Sequence, residues 1–150
     1  MLTPSKKLFY AVEAVLYVAY NGMQGPISGR DIAARQGLPP RYLEQLMQRL
    51  VRGGILRGVR GPHGGYLLAR ERRRITVGDI CEVLKEDKDD QDMQGYGGTP
   101  LGALIVQPVW GTAHKQMMEH LKQVNLAELC DRASLKRIRK ESEEKMDFAI

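Results

Sequence analysis

The chain has 150 residues, of which 43% are hydrophobic and 27% charged, a composition typical of a folded globular protein rather than a disordered one. No apolar run approaches the roughly 18 residues of a membrane-spanning helix, and the first residues lack a secretory pattern, so we expect a cytoplasmic protein. Two cysteines, Cys81 and Cys130, are too few for a disulfide scaffold or a four-cysteine metal site. Residues 1–80 carry 13 Lys and Arg against 5 Asp and Glu, a net charge of +8, whereas residues 81–150 carry a net charge of −3. The basic first half suits a polyanionic partner, although a solvated basic surface explains the charge equally well.

The first third of the chain predicts three helices. A capping hydroxyl followed by Pro4 predicts a first helix over residues 4–20. Ser28 opens a second, short helix that Gly37 ends, and Pro40 opens a third helix with apolar residues along one side. Two short helices joined by a tight turn are the outline of a helix-turn-helix.

A β-hairpin is predicted directly after the third helix. Residues 55–60 and 66–69 have the composition of strands, and residues 61–65, with the sequence Gly-Pro-His-Gly-Gly, consist almost entirely of turn formers. The order of a helix, a helix-turn-helix and a hairpin predicts a winged helix-turn-helix, in which the hairpin is the wing.

The second half of the chain predicts a further helix capped by Thr76, and then an arm. The predicted fold class is mainly α with a small β-hairpin wing, a winged helix-turn-helix domain plus a long dimerisation helix. We divide the chain into a DNA-binding domain at residues 1–84, an acidic and glycine-rich loop at 85–103, a dimerisation helix and arm at 104–133, and a charged tail at 134–150. The tail is compatible with a helix or with frayed chain.

The long helix, expected from about Pro108, has one apolar stripe and little small-domain core left to cover. We expect the stripe to pair with a second subunit, and the alternative is a helix folded back onto its own domain. The stripe residues are Val109, Ala113, Met117, Leu121 and Val124.

Several segments resemble the Rrf-two (Rrf2) family of bacterial regulators over about residues 2–132. The resembling segments are Asp31-Ile32-Ala33, Tyr42-Leu43-Glu44-Gln45-Leu46, the wing sequence from Val59 to Ala69, and Ile75-Thr76-Val77-Gly78-Asp79-Ile80, with weaker similarity at Trp110 and Leu126-Ala127-Glu128-Leu129. The resemblance implies a homodimeric repressor that binds a palindromic operator in double-stranded DNA. The third helix would enter the major groove and the wing tip the adjacent minor groove.

The residue types on the third helix and the wing agree with such a role. In the major groove, arginine can bind guanine, glutamine adenine, and glutamate the amino group of cytosine, while an arginine at a wing tip suits a narrow minor groove. Helix N-termini commonly bind phosphate. The candidate DNA-binding residues are Lys6, Ser28, Arg41, Tyr42, Glu44, Gln45, Gln48, Arg60 and His63. The helix residues could instead be ordinary solvated positions, and a place in the core is the leading alternative for Tyr42.

The sequence departs from the family where many members hold an iron–sulfur cluster on three cysteines. The interval from Leu84 to Trp110 contains no cysteine, and alignment on Trp110 places Leu104 and Gln107 at two ligand positions. Neither side chain replaces a thiolate on iron, so we expect no cofactor and no metal site. Cys81 and Cys130 are a candidate thiol sensor, with buried inert thiols as the alternative.

The effector of a cluster-free regulator would be a metabolite, a thiol oxidation state or a partner protein. Two other functions remain open at this point: a protein-interaction module with a winged-helix fold, and a redox regulator that holds a cluster through atypical ligands. An enzyme is not expected, because the sequence has no nucleophile and base pattern and no phosphate-binding loop.

Overall fold

The computed structural model describes residues 3–85 and 98–148, and most of these residues are helical. The first range contains α1 (Lys6–Asn21), α2 (Gly29–Gln36), α3 (Pro40–Arg52), β1 (Leu56–Val59), β2 (Gly65–Leu68) and α4 (Val77–Leu84), with short 3-10 turns at Gly22–Gln24 and Arg72–Arg74. The second range contains α5 (Gln107–Leu121), α6 (Leu126–Leu135) and α7 (Glu141–Phe148). The element order confirms the predicted fold class.

The helix-turn-helix and its flanking turns form for local reasons. Ser5, and not Thr3, caps α1, because its hydroxyl accepts a hydrogen bond from the amide of Leu8 at 3.2 Å, so the helix begins two residues after the predicted start. Gly37 adopts a left-handed conformation with φ of +66° and ends α2, as predicted. The amide of Leu38 then bonds to the carbonyl of Ala33 at 2.9 Å and directs the chain into α3.

The two strands pair antiparallel, with Leu56 opposite Leu68 and Val59 opposite Gly65, and so form the predicted wing. The hairpin is also joined to the segment before α2. The amide of Ile27 donates to the carbonyl of Tyr66 at 2.9 Å, and the amide of Tyr66 donates back at 2.8 Å. These two hydrogen bonds fix the wing beside the start of α2.

One hydrophobic core, centred on α1, lies beneath these elements and extends into the arm. Leu126 and Cys130 of α6 are buried in the same core cluster as the helices of the first 84 residues. The amide of Leu126 bonds to the carbonyl of Ile75 at 2.9 Å, which fixes α6 beside the start of α4. The division at residue 84 stays a prediction, but the core within the predicted domain is completed by α6.

The long helix starts earlier than predicted. Residues 100–101 are already helical, and Gly102–Val106 continue as a π-helix into α5. The amide of Gln107 bonds to the carbonyl of Gly102, one residue further back than in an α-helix. Pro108 has no amide hydrogen, and the wider π turn just before it accommodates a proline inside a continuous helix.

Most of the described tail is helical, with turn and irregular chain at residues 136–140 before α7. It contacts α1 through Tyr17 and Tyr20 and contacts α2 through an ion pair of Arg35 with Glu144 at 2.8 Å. The acidic part of the predicted loop, residues 86–97, lies outside the described residues. Within residues 3–85 and 98–148, no helix combines the length and apolar character needed to cross a bilayer.

Candidate nucleic-acid interface

The outward face of α3 carries most of the predicted base-reading residues. Leu43, Leu46, Met47 and Leu50 are buried against the core. The opposite face is exposed because residues three and four positions apart share one side of a helix. It forms a shallow groove lined by Arg41, Glu44, Gln45, Gln48, Arg49 and Arg52. Arg49 and Arg52 were not among the predicted residues, although their helical spacing from Gln45 and Gln48 was a usable signal.

Tyr42 lies outside the core cluster, with 37% of its surface exposed. The alternative of a core position for this residue is therefore wrong, and Leu43 and Leu46 occupy the buried face of α3 instead. Tyr42 is exposed on α3 next to Arg41, but it does not line the groove.

The start of α2 leaves backbone amides without acceptors inside the helix, and the phosphate contact expected at Ser28 stays a prediction. Ser28 has an extended backbone and makes no side-chain capping bond. The first intrahelical bond runs from the amide of Ile32 to the carbonyl of Ser28 at 3.2 Å, so the amides before Ile32 have no acceptor inside the helix. Such amides and the helix dipole favour a phosphate oxygen.

The wing tip lies beside this helix start and is set by glycine geometry. The amide of Gly64 bonds to the carbonyl of Gly61, which has φ of +116°. At Gly65, with φ of +153°, a Cβ would lie 2.2 Å from the carbonyl oxygen of Ile27, so only glycine permits this approach. The result is a cleft shared by Ser28 and His63, and Arg60 is exposed at the base of the tip.

Tyr66 and the tail contribute to this region although sequence reasoning did not select them. A Cβ added at Gly29 would lie 3.1 Å from the ring of Tyr66, so this ring packs against the first turn of α2. Burial, and secondarily the carboxylate of Glu44, raise the pKa of Tyr66 and keep its phenol protonated. Three residues of α7, Glu141, Ser142 and Lys145, line the same cleft as Ser28 and His63.

Lys6 is exposed at the first turn of α1 and lines neither the α3 groove nor the cleft. The structure therefore groups eight of the nine predicted residues on α3, the start of α2 and the wing, and leaves Lys6 apart. Their contacts with DNA stay predictions.

The two cysteines do not have the environment of reactive thiols. Cys130 is 2% exposed, and Cys81 is half-buried on α4. Burial raises the pKa of both thiols, although Arg72 partly opposes this at Cys130. A sensor thiol requires a lowered pKa and access, so the structure favours the inert alternative.

The residues at the predicted cluster position do not fit an iron–sulfur cluster. Leu104 is 71% exposed on the π-helical segment, and Gln107 begins α5. The chain has only two cysteines, one on α4 and one on α6, and the second is buried in the core. Three thiolates of one chain therefore cannot converge here.

Comparisons with known proteins agree with this architecture. The Rrf2 family, described as "Iron-dependent Transcriptional regulator", matches residues 4–132. The chain is 39% identical over 121 residues to the HTH-type transcriptional regulator IscR of Cronobacter sakazakii, a match that covers 80% of this chain and 75% of the relative. IscR of Escherichia coli is also 39% identical over 121 residues, with the same coverage.

Two solved structures extend the similarity to the fold. T. potens IscR superposes with a TM-score of 0.75 at 34% identity and covers 95% of this chain and 96% of its own. CymR, the global cysteine regulator of B. subtilis, superposes with a TM-score of 0.68 at 30% identity and covers 88% of this chain and 98% of its own. The curated relatives are named as transcriptional regulators, which confirms the prediction that the protein is a regulator and not an enzyme. The chain belongs to the Rrf2 family of winged helix-turn-helix transcriptional regulators.

Proposed function

We propose that this DNA-binding regulator is a cytoplasmic homodimeric repressor that reads a palindromic operator without an iron–sulfur cluster. The observation that carries the proposal is the common surface of α3, the start of α2 and the wing. Arg41, Gln45 and Gln48 are exposed along one groove, and Ser28 and His63 share the adjacent cleft. In this arrangement α3 would enter the major groove, the start of α2 would bind a phosphate, and the wing would reach the minor groove.

A second copy of the chain is the proposed occupant of the exposed apolar face on the long helix. Among the described residues, α5 contributes no buried side chain, although Val109, Trp110 and Met117 are apolar and 60%, 52% and 46% exposed. An apolar face of this kind on a regulator marks an interface, and a symmetric pair would present two recognition helices to the half-sites of a palindrome.

The experiment is a gel-shift titration with the promoter DNA of the protein's own gene, at two salt concentrations, with scrambled DNA as control. We expect specific binding that weakens steeply as salt rises, because Lys and Arg contacts release counterions from phosphates. Specific binding would eliminate the protein-interaction module, and absent or salt-insensitive binding would support it.

The cluster-free part of the proposal has its own test. Protein purified without oxygen should be colourless and free of iron and sulfide, and should still bind the operator. A brown, iron-containing protein would show that ligands from two subunits, or from residues outside the expected interval, hold a cluster.

A colourless protein directs the search for an effector to metabolites and protein partners. The thiol hypothesis has a separate control, operator release by oxidant in Cys81→Ser and Cys130→Ser proteins. Because both thiols have raised pKa values, we expect release to be the same in wild type and both variants.

A further inference from the structure

The C-terminal segment, residues 138–148, forms a strap across α1. The family model matches residues 4–132, so the strap lies outside the residues that it matches. The hydroxyl of Tyr20 donates to the carbonyl of Ile138, and the hydroxyl of Tyr17 donates to a carboxylate oxygen of Glu141 at 3.2 Å. The ammonium group of Lys140 lies 5.2 Å from the centre of the Tyr20 ring.

The strongest contact joins the start of α7 to Asn21, the last residue of α1. Asn21 is a polar side chain with only 7% of its surface exposed. Its amide nitrogen donates to the carbonyl of Tyr17 at 3.0 Å, and its oxygen accepts from the backbone amide of Glu141 at 2.7 Å. The amide of Glu141, at the first position of α7, has no acceptor within that helix. The side-chain oxygen of Asn21 and the backbone amide of Glu141 therefore satisfy each other's hydrogen-bonding capacity. Without this donor, the buried oxygen of Asn21 would be left unpaired, which is unfavourable.

Asn21 lies where the chain leaves α1 towards the candidate DNA interface. Residues 22–27 connect it to Ser28, and Ile27 in this connection is paired with Tyr66 of the wing by two hydrogen bonds. The strap also borders the cleft directly, because Ser142 and Lys145 line it together with Ser28 and His63. A displacement of Asn21 would therefore move both the start of α2 and the wing, because only a few residues separate them.

We propose that the strap is a positioning element for DNA binding, in which the amide of Glu141 holds Asn21 and so fixes residues 22–28. With the strap in place, the start of α2 and the wing tip meet the same DNA strand. This inference rests on the proposed function, because it assumes that Ser28 and the wing contact DNA. A strap whose carboxylates repelled DNA would instead weaken operator binding. Removing the strap would then raise the affinity, whereas removing a positioning element lowers it.

The test compares Glu141→Pro with Glu141→Ala in the full chain. Proline is well tolerated at the first helical position, and Lys140 before it lies outside the helix, so this change removes the amide hydrogen with little cost to α7. Both variants lose the carboxylate, but only Glu141→Pro loses the donor to Asn21. A third protein, truncated after Arg137, lacks the strap entirely. Operator affinity is measured over a range of salt concentrations, with dimer state and helix content checked at the same temperature.

We expect Glu141→Pro to bind the operator about fivefold or more weakly than Glu141→Ala, its reference for loss of the carboxylate, and the truncated chain to bind about fivefold or more weakly than wild type, the lower end of a typical coupling between sites. In Glu141→Pro and the truncated chain, the slope of log affinity against log salt concentration should decrease by about the contribution of one phosphate contact. A loss of stability alone would not change this slope. Equal binding by Glu141→Pro and Glu141→Ala, or tighter binding after truncation, overturns the proposal. If the truncated chain does not fold, the pair of Glu141 variants decides alone. Absence of operator binding by wild type instead refutes the proposed function.

Discussion

The two halves of the molecule use apolar residues in opposite ways. Between α1 and α4, apolar side chains such as Leu43, Leu50 and Ile80 are completely buried. On the helix over residues 100–121, apolar residues such as Leu104 and Val109 are exposed. Because apolar area left in water is unfavourable, we expect the exposed face of this helix to need a partner, whereas the core around α1 is covered by elements of the same chain, including α6.

The largest effect should come from the core of the first half. Leu50→Ala removes a fully buried side chain and should lower the free energy of unfolding by about 2–5 kcal/mol through lost burial and a cavity. Urea denaturation at two protein concentrations measures it. Leu104→Ala is the matched control, and its smaller effect should vary with protein concentration. Equal and concentration-independent effects of the two changes would remove the contrast between the halves.

A charge on the apolar face of the arm should separate the proposed dimer without unfolding the protomer. Val109→Glu places a carboxylate in the stripe, and burying it unpaired at a subunit interface is costly. Sedimentation should then give a monomer with unchanged helix content and weak operator binding. Lys115→Glu, on the opposite side of α5, is the control and should remain dimeric. A monomeric wild type would contradict the proposed interface.

On the reading surface, single side chains should affect DNA binding and not folding. Gln45→Ala should weaken operator binding by about 1–3 kcal/mol, the range of a good base contact. Arg60→Ala should weaken binding and reduce the dependence on salt, as loss of a cationic contact does. Arg57→Ala, on the exposed side of β1, keeps the hairpin and serves as its control. If Arg57→Ala and Arg60→Ala had the same effect, the wing tip would have no special role.

The smallest effect should be a pH dependence at the contact between the strap and the first half. Burial, followed by the carboxylate of Glu141, raises the pKa of Tyr17 to about 12. The unfolded chain releases this proton near pH 10, so the native state binds more protons between pH 10 and 12, and stability falls as pH rises through that window. Thermal unfolding should show a smaller decline in Tyr17→Phe than in wild type. An identical decline would mean that other groups, such as Tyr66, cause it.

The sequence by itself determined the winged helix-turn-helix, because its signals are local. Ser28 and Gly37 delimit α2, the five turn formers at residues 61–65 bend the wing, and the period of Leu43, Leu46 and Leu50 orients α3. The same period predicted which α3 side chains face outward. The lack of cysteine between Leu84 and Trp110 likewise predicted, from the sequence alone, that the family's three-cysteine site is missing from this interval, because no fold can supply a missing ligand.

Only the tertiary structure decided the features that depend on residues far apart in the chain. Leu126 and Cys130 join the first core through backbone pairing with Ile75, and Asn21 bonds to an amide 120 residues away. The charged tail has only a weak apolar periodicity, so its position follows from polar contacts that local sequence patterns do not encode. Likewise, Pro108 predicted a helix start, and the π turn before it let the helix continue. The physical reason is the same in each case: the stabilising group lies on another element, and its distance appears only when the chain is folded.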